Sequence, residues 1–226
     1  MTIEPQKPTV SAETIYSSVI GNNATVNQTI ATQPRKASLF QLPADSPDFT
    51  GRSAVTTQIE TILERSAIVA ISGMGGVGKS MLARHVGNRL KAVYPDGQLV
   101  VDLRGQSESP REPIAVLTEF LIDGFGDDPQ HLPTDLDRLQ KYFNDRLTGR
   151  KILVVLDNAA DAAQVEPLLP QVSGCAAIVT SREKLTGLAG VAAESFAALD
   201  VMPIEEAIAL VERLCGEKAR DGEPND

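Results

Sequence analysis

Residues 67–86, AIVAISGMGGVGKSMLARHV, join three patterns that seldom meet by accident. The first is a short apolar run, Ala67 to Ile71, of the length and composition of a strand buried on both faces. The second, Gly73 to Ser80, matches G-x-x-x-x-G-K-[ST] in full, and the third, Leu82, Val86 and Leu90 at spacing four, is the apolar stripe of a helix. A strand running through a glycine loop into a helix is the context the motif needs. Glycine lets the backbone curl until its N–H groups face a phosphate chain, and the helix N-terminus adds partial positive charge. Lys79 is then expected at the β- and γ-phosphates and Ser80 at Mg2+, with Gly73, Gly75, Gly76, Val77, Gly78, Lys79, Ser80 and Met81 as the nucleotide-binding run.

The metal calls for an acid at the end of a neighbouring strand. KILVVLDN, residues 151–158, supplies five apolar residues and then Asp157, a Walker B pattern. Many hydrolysing relatives of this architecture carry a second acid beside the first, to polarise the attacking water. Here that neighbour is Asn158, an amide that can orient a water but cannot take its proton. Slow turnover is expected, with Asp161 the nearest acid able to stand in. AAIVTSR, residues 176–182, brings Thr180, Ser181 and Arg182 to the same strand edge. Spacing alone leaves Arg182 open between a γ-phosphate contact and a solvated arginine.

Strand patterns at 67–72, 98–103, 151–157, 176–181 and 191–197 alternate with helical ones. The latter are carried by Ile114, Leu117 and Leu121, by Leu136, Leu139, Phe143 and Leu147, and by Ala162, Val165 and Leu169. Thr134 reads as the N-cap and Gly149 as the terminator of the helix between them. The alternation predicts an α/β fold with a doubly wound, five-stranded parallel sheet, whose ligands bind at the carboxyl ends of the strands. Residues 46–200 form this nucleotide-binding domain, and 201–226 begin a helical subdomain whose stripe includes Ile204, Ile208 and Val211. Residues 1–45 are polar, rich in Thr, Ser, Asn, Gln and Pro, and read as mostly disordered. Within them IYSSVIGNNATVNQTI, residues 15–30, sets two β-prone runs about Gly21-Asn22-Asn23. Two readings stand: a tail without contacts, or a strand–turn–strand unit that stacks with copies of itself.

Composition sets the outer bounds. A formal charge of −9 opposes general affinity for nucleic acid or anionic membranes, and 4% aromatic residues with no Trp point to a core of Val, Ile, Leu and Ala. MTIEPQKPTV lacks a signal-peptide pattern and no apolar run is long enough to span a bilayer, so the expected compartment is the cytoplasm. Cys175 and Cys215 fit no metal or redox spacing, and His85 and His131 read as surface residues.

Taken together, the loop, KILVVLDNAADAAQVEPLLP, YPDGQLVVDLRG and CAAIVTSREKLTGLAG resemble the NB-ARC group of STAND signalling ATPases, closest to its bacterial branch of actinobacterial-type regulators. The resemblance implies a P-loop NTPase of the ASCE type that holds ADP when closed and ATP when open and oligomerising. It further implies that Arg182 is the first sensor arginine, and that FTGR, residues 49–52, places Arg52 and the backbone near Phe49 beside the adenine and ribose. Ser53 departs from the acid often found at that point. A winged-helix domain and a repeat-built sensor, usual in the family, are not recognised in this stretch. G-N-x-x-x-N from Gly21 to Asn27 is similar to the amyloid-type signalling motif some STAND proteins carry, which would template a downstream effector. The leading expectation is a signalling switch binding ATP or ADP with Mg2+. A working P-loop ATPase or kinase, and the nucleotide module of a transcription regulator, are the alternatives.

Overall fold

The computed structural model describes residues 37–188 and 192–215; the segment 15–30 lies outside them. Five strands form one parallel sheet: β1 (Ile68–Ser72), β2 (Gly97–Asp102), β3 (Ile152–Ala159), β4 (Ala176–Ser181) and β5 (Phe196–Ala198), in the order β2-β3-β4-β1-β5. From β1 the chain crosses to the far edge at β2, returns through β3 and β4 to lie against β1, then steps to its other side at β5. The carboxyl ends of β1, β3 and β4 are thereby gathered in one place, where ligands of such sheets bind.

The continuous apolar runs are explained by helices on both faces. In β3, Ile152, Val154 and Leu156 face one core and Leu153 and Val155 the other. The first core is closed by α3 (Pro113–Glu119), by α4 (Leu136–Leu147) through Leu139, Phe143 and Leu147, and by the short α5 (Ala162–Val165). Beneath the second lie α1 (Ser53–Arg65) and α2 (Lys79–Arg89), which contribute Ile59, Leu82 and Val86. A last helix, α6, spans Ile204–Cys215.

Several boundaries differ from the sequence expectation, each for a local reason. The N-cap of α4 is Asp135, not Thr134, because the Asp135 carboxylate accepts the Arg138 N–H. Gly149 does end that helix as expected, at φ 76°, a conformation that favours glycine. The helix begun at Pro113 passes into a π-type turn over Phe120–Phe125, closed by Gly126 at φ 78°. The last strand is shorter than expected, only Phe196–Ala198, because Ala193–Ser195 form a helical turn that buries Ser195 against the Ser66 hydroxyl. Residues 39–42, which composition groups with the polar N-terminal segment, lie along the β2 edge: Gln41 N–H donates to Gln98 O, Gln98 N–H donates to Leu39 O, and Leu42 is buried. An otherwise open strand edge is covered in this way.

Gly105 is the tightest backbone approach in the sheet's upper rim. A Cβ there would lie 2.2 Å from the Ala160 nitrogen and 2.4 Å from the Ala159 carbonyl carbon. Gly105→Ala is expected to cost about 1–3 kcal/mol by overpacking against backbone that cannot yield. In urea unfolding the midpoint should fall with an unchanged slope.

Candidate nucleotide-binding site

The glycine loop leaves β1 and enters α2 through Gly76 at φ 77° and Gly78 at φ 102°, where a Cβ would meet no atom within 4 Å. Those two positions require glycine for their left-handed backbone and not for lack of space. Gly73 answers a different constraint, since its Cβ would lie 2.3 Å from the Leu199 carbonyl oxygen. The Lys79 ammonium folds back over the loop and donates to the Gly73 and Met74 carbonyls, each at 2.7 Å. Its burial, and secondarily the like charge of Arg182, hold the Lys79 pKa below the usual lysine range, against the pull of Asp157. Arg182 leaves the end of β4 and lays its guanidinium against the loop; a Cβ on Gly75 would be 3.4 Å from its central carbon. Two cations therefore share one glycine cradle.

Asp157 sits where three elements meet. Its Oδ1 accepts the Ser80 hydroxyl at 2.8 Å, from the first turn of α2, and the Thr180 hydroxyl from β4. The next residue is strained: Asn158 has φ 57° and marks a register shift between β3 and β4. Its backbone groups and its side-chain NH2 are engaged in structure. Its backbone N–H donates to Thr180 Oγ1 at 2.9 Å, its carbonyl accepts the Gly105 N–H, and its amide donates to Asp102 Oδ1 at 3.2 Å. Asn158 thus ties β3 to β2 and β4, a role that spacing alone did not suggest. Asp161, the stand-in acid, is equally committed, since its carboxylate caps α5 by accepting the Gln164 N–H at 2.9 Å.

Beside the loop opens a cavity of about 450 Å3. Its walls are Asp48, Phe49, Thr50 and Arg52 from the segment before α1, Gly76, Val77, Gly78 and Met81 from the loop and α2, and Val201, Met202, Ala207 and Leu210 from the α6 region. Volume and apolar lining suit a planar organic group rather than an ion. Arg52, in the left-handed region at φ 62°, closes it. Its guanidinium donates to the Asp200 carbonyl at 2.7 Å and the Val77 carbonyl at 3.2 Å, and its backbone N–H donates to Glu206 Oε2 at 3.0 Å. Arg52 thus joins the loop and the segment before α6 through its side chain, and reaches α6 itself through its backbone N–H. All the residues expected in the site from the sequence, from Arg52 through the glycine run to Asp157 and Arg182, border this loop or this cavity. Glu206, Met202 and Leu210 are additions for which the sequence offers no signal beyond an amphipathic helix.

A family model described as NB-ARC domain matches residues 53–221, well over half of the chain. This chain belongs to the NB-ARC family. It is 44% identical over 188 residues to the regulatory protein AfsR of Streptomyces coelicolor, covering 79% of this chain and 18% of that protein. AfsR of Streptomyces griseus is 46% identical over 181 residues, covering 78% and 18%. A probable disease resistance protein of Arabidopsis thaliana is 30% identical over 124 residues, 54% of this chain and 14% of that one. The chain thus spans under a fifth of the length of the bacterial regulators it matches. Among solved structures, a Walker-type ATPase of Pyrococcus abyssi superposes with a TM-score of 0.54 at 14% identity, covering 84% of this chain and 63% of that one. The ADP form of Aeropyrum pernix ORC2 gives 0.53 at 15%, covering 77% and 55%. These likenesses establish the P-loop ATPase fold.

Lys79→Met is expected to abolish nucleotide binding in titration calorimetry. Because it removes a charge whose burial is unfavourable, its melting temperature without nucleotide should equal or exceed that of the unsubstituted chain.

Proposed function

We propose that this chain is the nucleotide-binding part of a signalling switch, holding ADP or ATP with Mg2+ and hydrolysing it slowly at most. The observation that carries the reading is the pairing of Lys79 and Arg182 over a glycine cradle that opens beside an apolar cavity. Two neighbouring cations, one with its pKa held down by burial and like charge, form a site whose electrostatic cost an anion removes. A polyphosphate fits the cradle and a purine the cavity. The donor set at the metal position fits Mg2+: a hydroxyl and a carboxylate oxygen, Ser80 and Asp157, 2.8 Å apart. When bound, the ion supplies charge neutralisation between phosphate oxygens.

Slow turnover follows from where the acids stand. Asp157 is taken by Ser80 and Thr180, Asn158 is an amide bonded to Asp102, and Asp161 is a helix cap. The residue that follows Asp157 is an amide, which orients a water without taking its proton, and this supports slow turnover. Nucleotide exchange, with oligomerisation in the ATP state, then carries the signal. A lasting change of state requires that the two nucleotides differ in affinity for the two conformations. The regulatory relatives favour a place for this domain within a larger regulator. We assign the chain to the cytoplasm: the described residues contain no helix long and apolar enough to cross a membrane. Its net charge of −9 argues against duplex binding by this chain itself. Self-association through residues 15–30, passing the state to an effector protein, is part of the same proposal.

Arg182→Ala provides the test. If Arg182 reads the γ-phosphate, the substitution lowers ATP affinity about 10-fold and changes ADP affinity by less than about 2-fold, as expected for loss of one charge-assisted contact. Equal losses for both nucleotides would remove the sensor role, and absence of any nucleotide binding by the unsubstituted chain would remove the proposal.

A further inference from the structure

His85 reads from the sequence as an ordinary surface histidine, yet it is a corner of a closed structure that ends at the cavity wall. Its ring stacks on Phe49 with centroids 3.9 Å apart and planes 13° from parallel. On its other side, His85 Nδ1–H donates to Asp45 Oδ2 at 2.7 Å. The loop between these two partners is closed as well: Asp45 Oδ1 accepts the Ser46 N–H at 2.9 Å, and Phe49 N–H returns to the Ser46 carbonyl at 3.1 Å across Pro47 and Asp48. Proline in the second position of a four-residue turn fixes φ where the turn requires it. Asp45 therefore holds both the start of the turn and the ring on which the turn's last residue rests.

Phe49 lines the cavity; His85 does not. His85 lies one turn beyond Met81 on α2, so the helix that begins at Lys79 presents Met81 to the cavity and His85 to the back of Phe49. Its imidazole is only 19% exposed, and the stack is the one described ring contact that joins α2 to the segment before α1. A phenyl ring at the end of a four-residue turn without a backing surface would have several rotamers, and the wall it forms would be soft.

We infer that His85, held by Asp45, is a positioning residue that presets Phe49 and so sets how tightly the chain grips the base end of a nucleotide. The inference rests on the nucleotide reading of the site and deepens it. Binding at the phosphate end depends on the glycine loop and Lys79, which precede His85 in the chain.

A double-mutant cycle on Mg–ADP affinity tests it, read by titration calorimetry on the full chain. His85→Ala is expected to weaken ADP binding about 3- to 10-fold, the range of a lost aromatic stack. Phe49→Ala should cost at least as much. In the Phe49→Ala background His85→Ala should cost nothing more, because its effect travels through that ring. His85→Phe, which keeps a stacking surface, should recover most of the affinity. Should His85→Ala not fold, Asp45→Ala carries the same cycle, with a smaller loss expected in the parent and none in the Phe49→Ala background. Unchanged affinity in His85→Ala, or losses that multiply in the double variant, would overturn the positioning role. An unsubstituted chain that binds no ADP would instead overturn the nucleotide reading on which it rests.

Discussion

Asp157 Oδ1 is the atom on which the site is assembled. Two hydroxyls converge on it, Ser80 from the helix that follows β1 and Thr180 from β4, and so one carboxylate oxygen fixes the ends of three adjacent strands relative to each other. Thr180 passes the constraint on, since the same hydroxyl accepts the Asn158 N–H. Asn158 then reaches Asp102, and β2 joins the set. Asp157 is half-buried, so removing the hydroxyls would loosen the arrangement of the strand ends more than it would strand a charge out of water. The parallel sheet brings these groups close, but the polar chain through Asp157 gives them a single arrangement.

That arrangement carries stored cost. The three non-glycine residues with positive φ among the described residues are Arg52, Arg104 and Asn158. Arg52 walls the cavity, Asn158 follows the Walker B acid, and the Arg104 N–H is bound by Asp102, which also receives Asn158. Strain of this kind persists only where the surroundings over-determine it, and it collects at sites whose geometry matters. Lys79 adds an electrostatic counterpart, a buried ammonium facing a second cation. The domain is thus least comfortable where a nucleotide would be held, and a bound ligand has strain and repulsion to relieve. That is the thermodynamic form of a switch, because occupancy then alters the stability of the elements around the ligand.

The sequence made the phosphate cradle legible because its chemistry is local: six glycine-loop positions, a lysine and a serine act within one turn of chain. Asp157 was legible for a related reason, as an acid closing an uninterrupted apolar run. Arg52 was reached through resemblance, but its partners were not, because Glu206 lies 154 positions away and only the packing of α6 brings it to the Arg52 N–H. Asn158 was read by what it lacks as a base, whereas its left-handed backbone and its bond to Asp102 show that it serves as a strand clamp. The short β5 and the displaced N-cap of α4 are smaller cases, where a helical turn or a neighbouring aspartate outcompeted the expected residues.

The proposed site requires loop, Arg52 segment and α6 to close on a single ligand. Hydrogen–deuterium exchange with and without Mg–ADP tests it most directly, since each of the three regions yields its own peptides. Slowed exchange is expected in all three together, over residues 47–52, 73–82 and 202–210. Protection confined to the glycine loop, with 47–52 and 202–210 unchanged, would contradict it, because the cavity would then have no part in holding the nucleotide.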